Sequence, residues 1–430
     1  EILHPYDRRY NHPQPLFQYS SHLKIFPFAD IAKIIVEGWK RRNKSVNLFK
    51  KIRIERLEKI MTAIFYLVMR TSCLREIEIF DYYGRNGEQF IYNISKVISF
   101  SSYQYRFSQL RNLTIHIKKS SYLKESLRNL SKLCINLQRL EYRVKQDLDS
   151  ETVDALADII TAQSNLKNFL IETHIKNYQR RFISHLDFQK ESLTSLSLHF
   201  IDFSVISLNS IAKYTKLESM EIYSCYGATK GNCEMFMQSS IKLKSLTIDT
   251  YQFVNDTLLA TFIEKAGKNL LNLHTDRVSE KLMTPLSRFC PNISKFSLLD
   301  MWQDCSIFMD YLKGSNISQL IIKSHCRSDE LLIALGKHVP SSLEKLYLHC
   351  HFRPECLGKF LLDYSKSSLN TLETLYIKYI DGHSLDYLKV IEHYAQYNAL
   401  KTVVIETTVD MYEASGLIQK IKNKGINILF

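Results

Sequence analysis

The stretch Leu343–Cys350 reads LEKLYLHC, with apolar residues at its first, fourth and sixth positions and polar ones at the second, third and seventh. The same L-x-x-L-x-L spacing begins at Leu74, Leu110, Leu137, Leu166, Leu193, Leu217, Leu243, Leu270, Ile293, Ile317, Leu372 and Leu400, thirteen phrases in all. Their starts lie 23 to 29 residues apart after a first gap of 36. Of the 39 positions that the phrase makes apolar, 38 are, Thr275 being the exception; a chain that is 45% hydrophobic would place about 18 there by chance. The second position is polar or charged in every phrase but one, where it is Leu271. The spacing is a property of the chain and not of its composition.

Alternation at positions four and six is the period-2 signature of a short strand with one buried face. Helical patterns lie between the phrases. ETVDALADIITAQ (Glu151–Gln163) puts Val153, Leu156 and Ile160 on one side, and DELLIALGKHV (Asp329–Val339) does the same with Leu331, Leu332 and Leu335. Strand, helix and a return to a strand of the same direction gives parallel pairing with a right-handed crossover. A unit this small cannot bury its apolar face alone, so neighbouring units stack. Helices are wider than strands, and the stack is expected to bend with its sheet on the concave side. The fold class expected is α/β: a right-handed solenoid, or horseshoe, with a parallel concave sheet and helices on the convex side. Residues 74–430 would form it, closed by a helix over Met411–Lys422 and a fourteenth strand at Ile426–Ile428. Residues 1–73 would form an N-terminal helical cap, with Ile54, Leu57, Met61, Ile64 and Val68 on one stripe, and DYYGRNGEQ (Asp81–Gln89) a projecting loop.

The phrase, its period and the intervening helices resemble the leucine-rich-repeat proteins of ribonuclease-inhibitor-like shape. The segment PLFQYSSHLKIFPF (Pro15–Phe28), followed by a helical stretch and irregular repeats, resembles the region after the F-box in fungal F-box/leucine-rich-repeat proteins. That resemblance implies a substrate receptor of an SCF-type, cullin-RING ubiquitin ligase, with the horseshoe holding the substrate. No F-box is recognisable upstream of Pro15 in this sequence, so adaptor docking is expected only where one precedes Glu1. Many repeats of this family carry Asn or Cys three residues after the sixth position, where the side chain satisfies turn backbone; here only Cys225 fits. An irregular solenoid is therefore expected.

Charge and cysteines narrow the function. The chain has 57 Lys/Arg against 44 Asp/Glu, a formal +13, of which residues 1–73 hold +8 (14 against 6). The basic run Trp39–Arg56 is expected to be a solvated helix face; binding of nucleic acid or an acidic surface through residues 39–59 is a separate reading. Nine cysteines without a framework of paired spacings suit reduced thiols and a cytoplasmic or nuclear location. No apolar run approaches a membrane span.

No catalytic motif is present, and no enzyme, cofactor or metal is expected. His325, Cys326, His349, Cys350, His351 and Cys356 cluster in two repeats, but H-C-H-x4-C is no zinc signature. Cys225 and Cys233 are expected as thiols in the core and at a helix start, with a disulfide the alternative. Positions three, five and seven should face the concave side, where a protein partner is expected. Glu221, Tyr223, Asp249 and Asp276 make an acidic stretch there, and Lys323, Lys345, Tyr347, His349, Tyr376 and Lys378 an aromatic and basic one. A ubiquitin-independent scaffold or inhibitor is the remaining alternative.

Overall fold

Each of the thirteen phrases forms a β-strand that begins at its third position. The computed structural model describes residues 25–26, 59–60, 62–69, 74–83, 89–91, 104–117, 124–249, 256–276, 278–299, 306–366, 371–378, 384–394, 400–406 and 411–430. The chain divides into two compact units, 1–195 and 196–430.

In the first unit the strands are β1 (Ile25–Phe26), β2 (Glu76–Tyr83), β3 (Gln89–Ile91), β4 (Asn112–Ile117), β5 (Arg139–Val144) and β6 (Asn168–Thr173). The order β1-β2-β4-β5-β6 is parallel throughout, and like positions of the phrase meet: Ile77, Leu113, Leu140 and Phe169 form one row. Between them run α1 (Gln104–Ser108), α2 (Lys124–Leu133), α3 (Ser150–Thr161) and α4 (Lys176–Leu186). The expected projecting loop is different. Residues 81–83 extend β2 and pair antiparallel with β3, so its flanks are a hairpin, while 84–88 lie outside the described residues.

In the second unit the parallel order is β7 (Ser195–His199), β8 (Ser219–Tyr223), β9 (Ser245–Asp249), β10 (Asn272–Thr275), β11 (Lys295–Leu299), β12 (Gln319–Arg327), β13 (Lys345–His351), β14 (Thr374–Lys378), β15 (Thr402–Glu406) and β16 (Asn427–Leu429). β16 is the expected fourteenth strand of this series. The helices are α5 (Glu234–Gln238), α6 (Asp256–Ala266), α7 (Glu280–Phe289), α8 (Ser306–Lys313), α9 (Asp329–His338), α10 (Pro354–Ser365), α11 (Ser384–Tyr394) and α12 (Met411–Asn423). Between β7 and β8 a 3-10 helix, Leu208–Lys213, stands where other repeats have an α-helix. The repeat is thus a leucine-rich-repeat α/β solenoid in both units.

The register has a physical lock. Within each unit the carbonyl at position two of one phrase accepts from the N–H groups of positions two and three of the next: Arg75 O from Arg111 and Asn112, Glu344 O from Glu373 and Thr374. A one-residue slip would break that pair and turn the apolar set outward. Positions one, four and six are buried almost without exception, each Leu or Ile contributing about 1.5–3 kcal/mol of transfer free energy. Thr275, the one polar residue in the pattern, is fully buried as well.

The described part of the N-terminal stripe keeps Val68 in the buried face and adds the residues beside it. Along helical residues 62–69, Phe65, Val68 and Met69 are buried and Ile64 is half-buried; Phe65 stands 6.4 Å from the Phe107 ring of α1. Ile54, Leu57 and Met61 lie outside the described residues. The cap of α3 is Asp149: its carboxylate accepts from Thr152 N at 2.8 Å, closing the helix start.

Candidate partner-binding face

The candidate residues all lie in the second unit, on the sheet face whose side chains alternate with the buried rows. The register sets them out in a grid. Position three gives Lys295, Gln319, Lys345 and Thr374; position five gives Ser297, Ile321, Tyr347 and Tyr376; position seven gives Leu299, Lys323, His349 and Lys378.

The structure brings the aromatic and basic residues together. Tyr347 and Tyr376, direct neighbours on β13 and β14, have ring centroids 5.6 Å apart, and His349 lies 5.3 Å from Tyr376. Gln319 donates its amide to the Tyr347 hydroxyl at 3.1 Å. Lys378 pairs with Glu406 at 2.8 Å, and Glu406 is held below the usual carboxylate range by Lys378 first and then by the Tyr376 hydroxyl. Burial lowers the His349 pKa, and the charges of Lys323 and Lys378 lower it further. Among the described residues Lys323 and Lys345 make no hydrogen bond or ion pair. Rings fixed by packing, with free ammonium groups beside them, make a surface able to grip an apolar side chain and a carboxylate at once.

The acidic stretch divides. Glu221 accepts from Ser197 Oγ at 2.9 Å and lies 3.4 Å from His199 Nε2; His199 and Ser197 hold its carboxyl below the usual range against the opposing effect of burial. Tyr223 is 38% exposed and leans on His199, ring centroids 5.2 Å apart. Asp249 is only 4% exposed, so it is withdrawn from the surface on which the sequence places it. Asp276 follows β10 and is half-buried. His274, which the sequence did not single out, sits between these groups: its Nδ1 is 2.7 Å from Ser297 Oγ, and burial followed by the Lys323 charge depresses its pKa.

The thiols are inert by environment. Burial pushes Cys225, Cys290 and Cys350 up to about 12 and Cys233 up to about 11. Cys225 and Cys233 are both free. Among the described residues no group of three His, Cys, Asp or Glu side chains is placed to hold a metal; the side chains of His325 and Cys326 lie outside that description. Cys225 does what its position in the phrase implies: its thiol lies 3.0 Å from Leu198 O as donor and 3.4 Å from the Ile201 N–H as acceptor. The sequence did not reveal its counterparts. Gln163 takes the Leu137 N–H and donates to Cys134 O and Ile159 O, Gln189 takes the Leu166 N–H, and the Tyr364 hydroxyl takes that of Leu372. These buried groups satisfy backbone at the entry to the strands, the opposite end from the turn that Cys225 serves.

In the first unit, Leu74, Arg75, Tyr105, Arg106, Gln109 and Arg111 line a cavity of about 320 Å³. No helix among the described residues is long and apolar enough to cross a membrane.

No protein-family model matches the chain and no curated protein matches it. Among solved structures it is similar to the Rad7 and Elc1 complex of yeast at 14% identity, over 87% of this chain and 91% of that one, with a TM-score of 0.44. It is similar to the leucine-rich repeat-containing protein LegL7 of Legionella pneumophila at 16% identity over 75% and 94% of the two chains, with a TM-score of 0.36. For the TLR13–ssRNA13 complex the values are 12%, 78%, 40% and 0.33. All three are remote. The strand register and the position-two carbonyl pattern of this chain are themselves what make it a leucine-rich-repeat α/β solenoid.

Proposed function

We propose that this chain is a protein-binding scaffold that grips its partner on the open sheet face of its second unit. One observation carries the reading: Tyr347 and Tyr376 are register neighbours with tilted rings 5.6 Å apart, His349 lies 5.3 Å from Tyr376, and among the described residues Lys323 and Lys345 beside them make no hydrogen bond or ion pair. Aromatic residues held rigid by their neighbours lose little entropy on binding, which is why such clusters dominate interface energetics. The finer setting, substrate recognition for ubiquitin ligation, rests on the sequence resemblance of Pro15–Phe28 and requires an F-box upstream.

The double variant Tyr347→Ala, Tyr376→Ala is expected to weaken capture of the native partner by more than tenfold, about 2 kcal/mol or more. Its melting temperature should change little, since both side chains stand on the open face. Unchanged capture would remove the proposal. Co-purification of a cullin-RING adaptor with a chain extended upstream of Glu1, and its absence without the extension, would support the ubiquitin setting; absence in both would end it.

A further inference from the structure

Across β12 to β15, position five presents Ile321, Tyr347, Tyr376 and Val404 as one apolar strip running over the strands. Cations flank it on both sides. Position three carries Lys295 and Lys345; position seven carries Lys323 and Lys378, with His349 between them. Among the described residues Lys295, Lys323 and Lys345 make no hydrogen bond or ion pair. Among the described residues the carboxylates on β13 to β15 are engaged or off the strip: Glu406 is held by Lys378 and Tyr376, Glu373 by Lys401, and Glu344 stands at position two. An apolar strip between two cationic rows is stable in water, but three unpaired lysines around it leave a positive field that a partner of opposite charge would relieve.

We propose that this strip receives an amphipathic helical segment of the partner whose apolar stripe is bordered on both sides by Asp or Glu. The proposal rests on the reading of this face as the partner-binding surface and adds the partner's chemistry. Its geometry follows from the repeat. Positions three and seven are four residues apart along a strand, about 13 Å. A helix with its side chains is about 10–12 Å across, so one laid over position five brings its two borders to the two lysine rows. An extended segment cannot do this: turning its alternate side chains down onto the strip sends the others up into solvent. Four strands about 4.8 Å apart span about 14 Å, which a helix covers in about 10 residues.

The test is selection of random 16-residue peptides displayed on phage against the immobilised full chain. Synthetic copies of the enriched peptides are then measured by fluorescence anisotropy and circular dichroism. Enriched sequences should place apolar residues at i, i+3 or i+4 and i+7, with acidic residues on both borders, and should gain helicity on binding. Lys323→Glu with Lys345→Glu should weaken them by about tenfold or more, and added salt should weaken them too. Peptides that are neutral or basic, that bind extended, or that ignore the lysine reversal while losing affinity to Tyr347→Ala, Tyr376→Ala would overturn the acidic helix and leave the face standing. A selection that returns no peptide sensitive to the tyrosine pair would remove both. Melting curves of each variant confirm that a loss is not unfolding.

Discussion

A single glutamine shows how much of this solenoid rests on groups outside the repeat pattern. Gln163 is 5% exposed and ties the first N–H of one phrase, Leu137, to the end of the preceding turn at Cys134 O. Gln163→Leu keeps the volume but leaves that donor and acceptor buried without partners, at about 1–3 kcal/mol each. A loss of about 2–5 kcal/mol in urea unfolding is expected, against less than about 1 kcal/mol for an exposed glutamine. Glu221 makes a pH-dependent contribution. Its folded pKa lies below the unfolded carboxylate value of about 4.3, so its stabilisation is full above that value and disappears as pH falls through the folded one. Glu221→Gln should therefore separate from the native chain in melting temperature near pH 7 and converge with it near pH 3. Parallel curves at all pH values would show that the ionised form contributes nothing.

Between the helices, two glycines of the same type predict opposite outcomes. Gly336 lies in α9, and a Cβ there would come within 2.9 Å of Phe360 O and 3.0 Å of Phe360 Cα on α10. Gly416 in α12 has nothing within 4 Å. Helix propensity favours alanine at either site by about 1 kcal/mol. At Gly416 that preference stands alone, and Gly416→Ala should raise the melting temperature. At Gly336 the obstacle is backbone, which cannot step aside as a side-chain tip could, so Gly336→Ala should lower stability despite the better propensity. Equal effects would mean that α9 and α10 are not held at this separation. The same contrast explains what the sequence disclosed. The strands of the repeat were legible because a period of two with one buried face leaves its mark in the residues themselves, and the tyrosines and lysines of the open face followed from counting positions. The β2–β3 hairpin, the 3-10 helix after β7, the withdrawn Asp249 and the Gln163 and Gln189 bridges were not: the glutamine bridges join groups a whole repeat apart, and the hairpin is a local antiparallel pairing outside the repeat pattern. Of the N-terminal stripe, Val68 was legible, while Phe65 and Met69, which the ideal spacing passes over, are buried beside it.

At the scale of the whole chain, a repeat touches only the repeats beside it, so damage should spread by nearest neighbours rather than all at once. The last strand offers the cleanest trial. β16 pairs with β15 through Thr402↔Asn427, Val403↔Ile428 and Val404↔Leu429, and Ile428 is 5% exposed. Ile428→Lys places an ammonium in that apolar site, where its desolvation costs several kcal/mol unless the strand lifts away. Lifting exposes the ladder edge of β15 and the apolar residues beneath it, Val403 and Ile405 among them. Hydrogen exchange read by mass spectrometry should then show protection lost in β16, reduced in β15 and β14, and regained by about β12. The gradient is the discriminating feature: uniform loss from β7 to β16 would mean that the second unit unfolds as one cooperative body, and loss confined to β16 would mean that adjacent repeats are not energetically coupled. A gradient also carries a consequence for binding, because Tyr376 on β14 lies within reach of the frayed end while Lys323 on β12 does not. Ile428→Lys should accordingly weaken partner capture about as far as β14 loses protection, and restoring the apolar site with Ile428→Val should return both together.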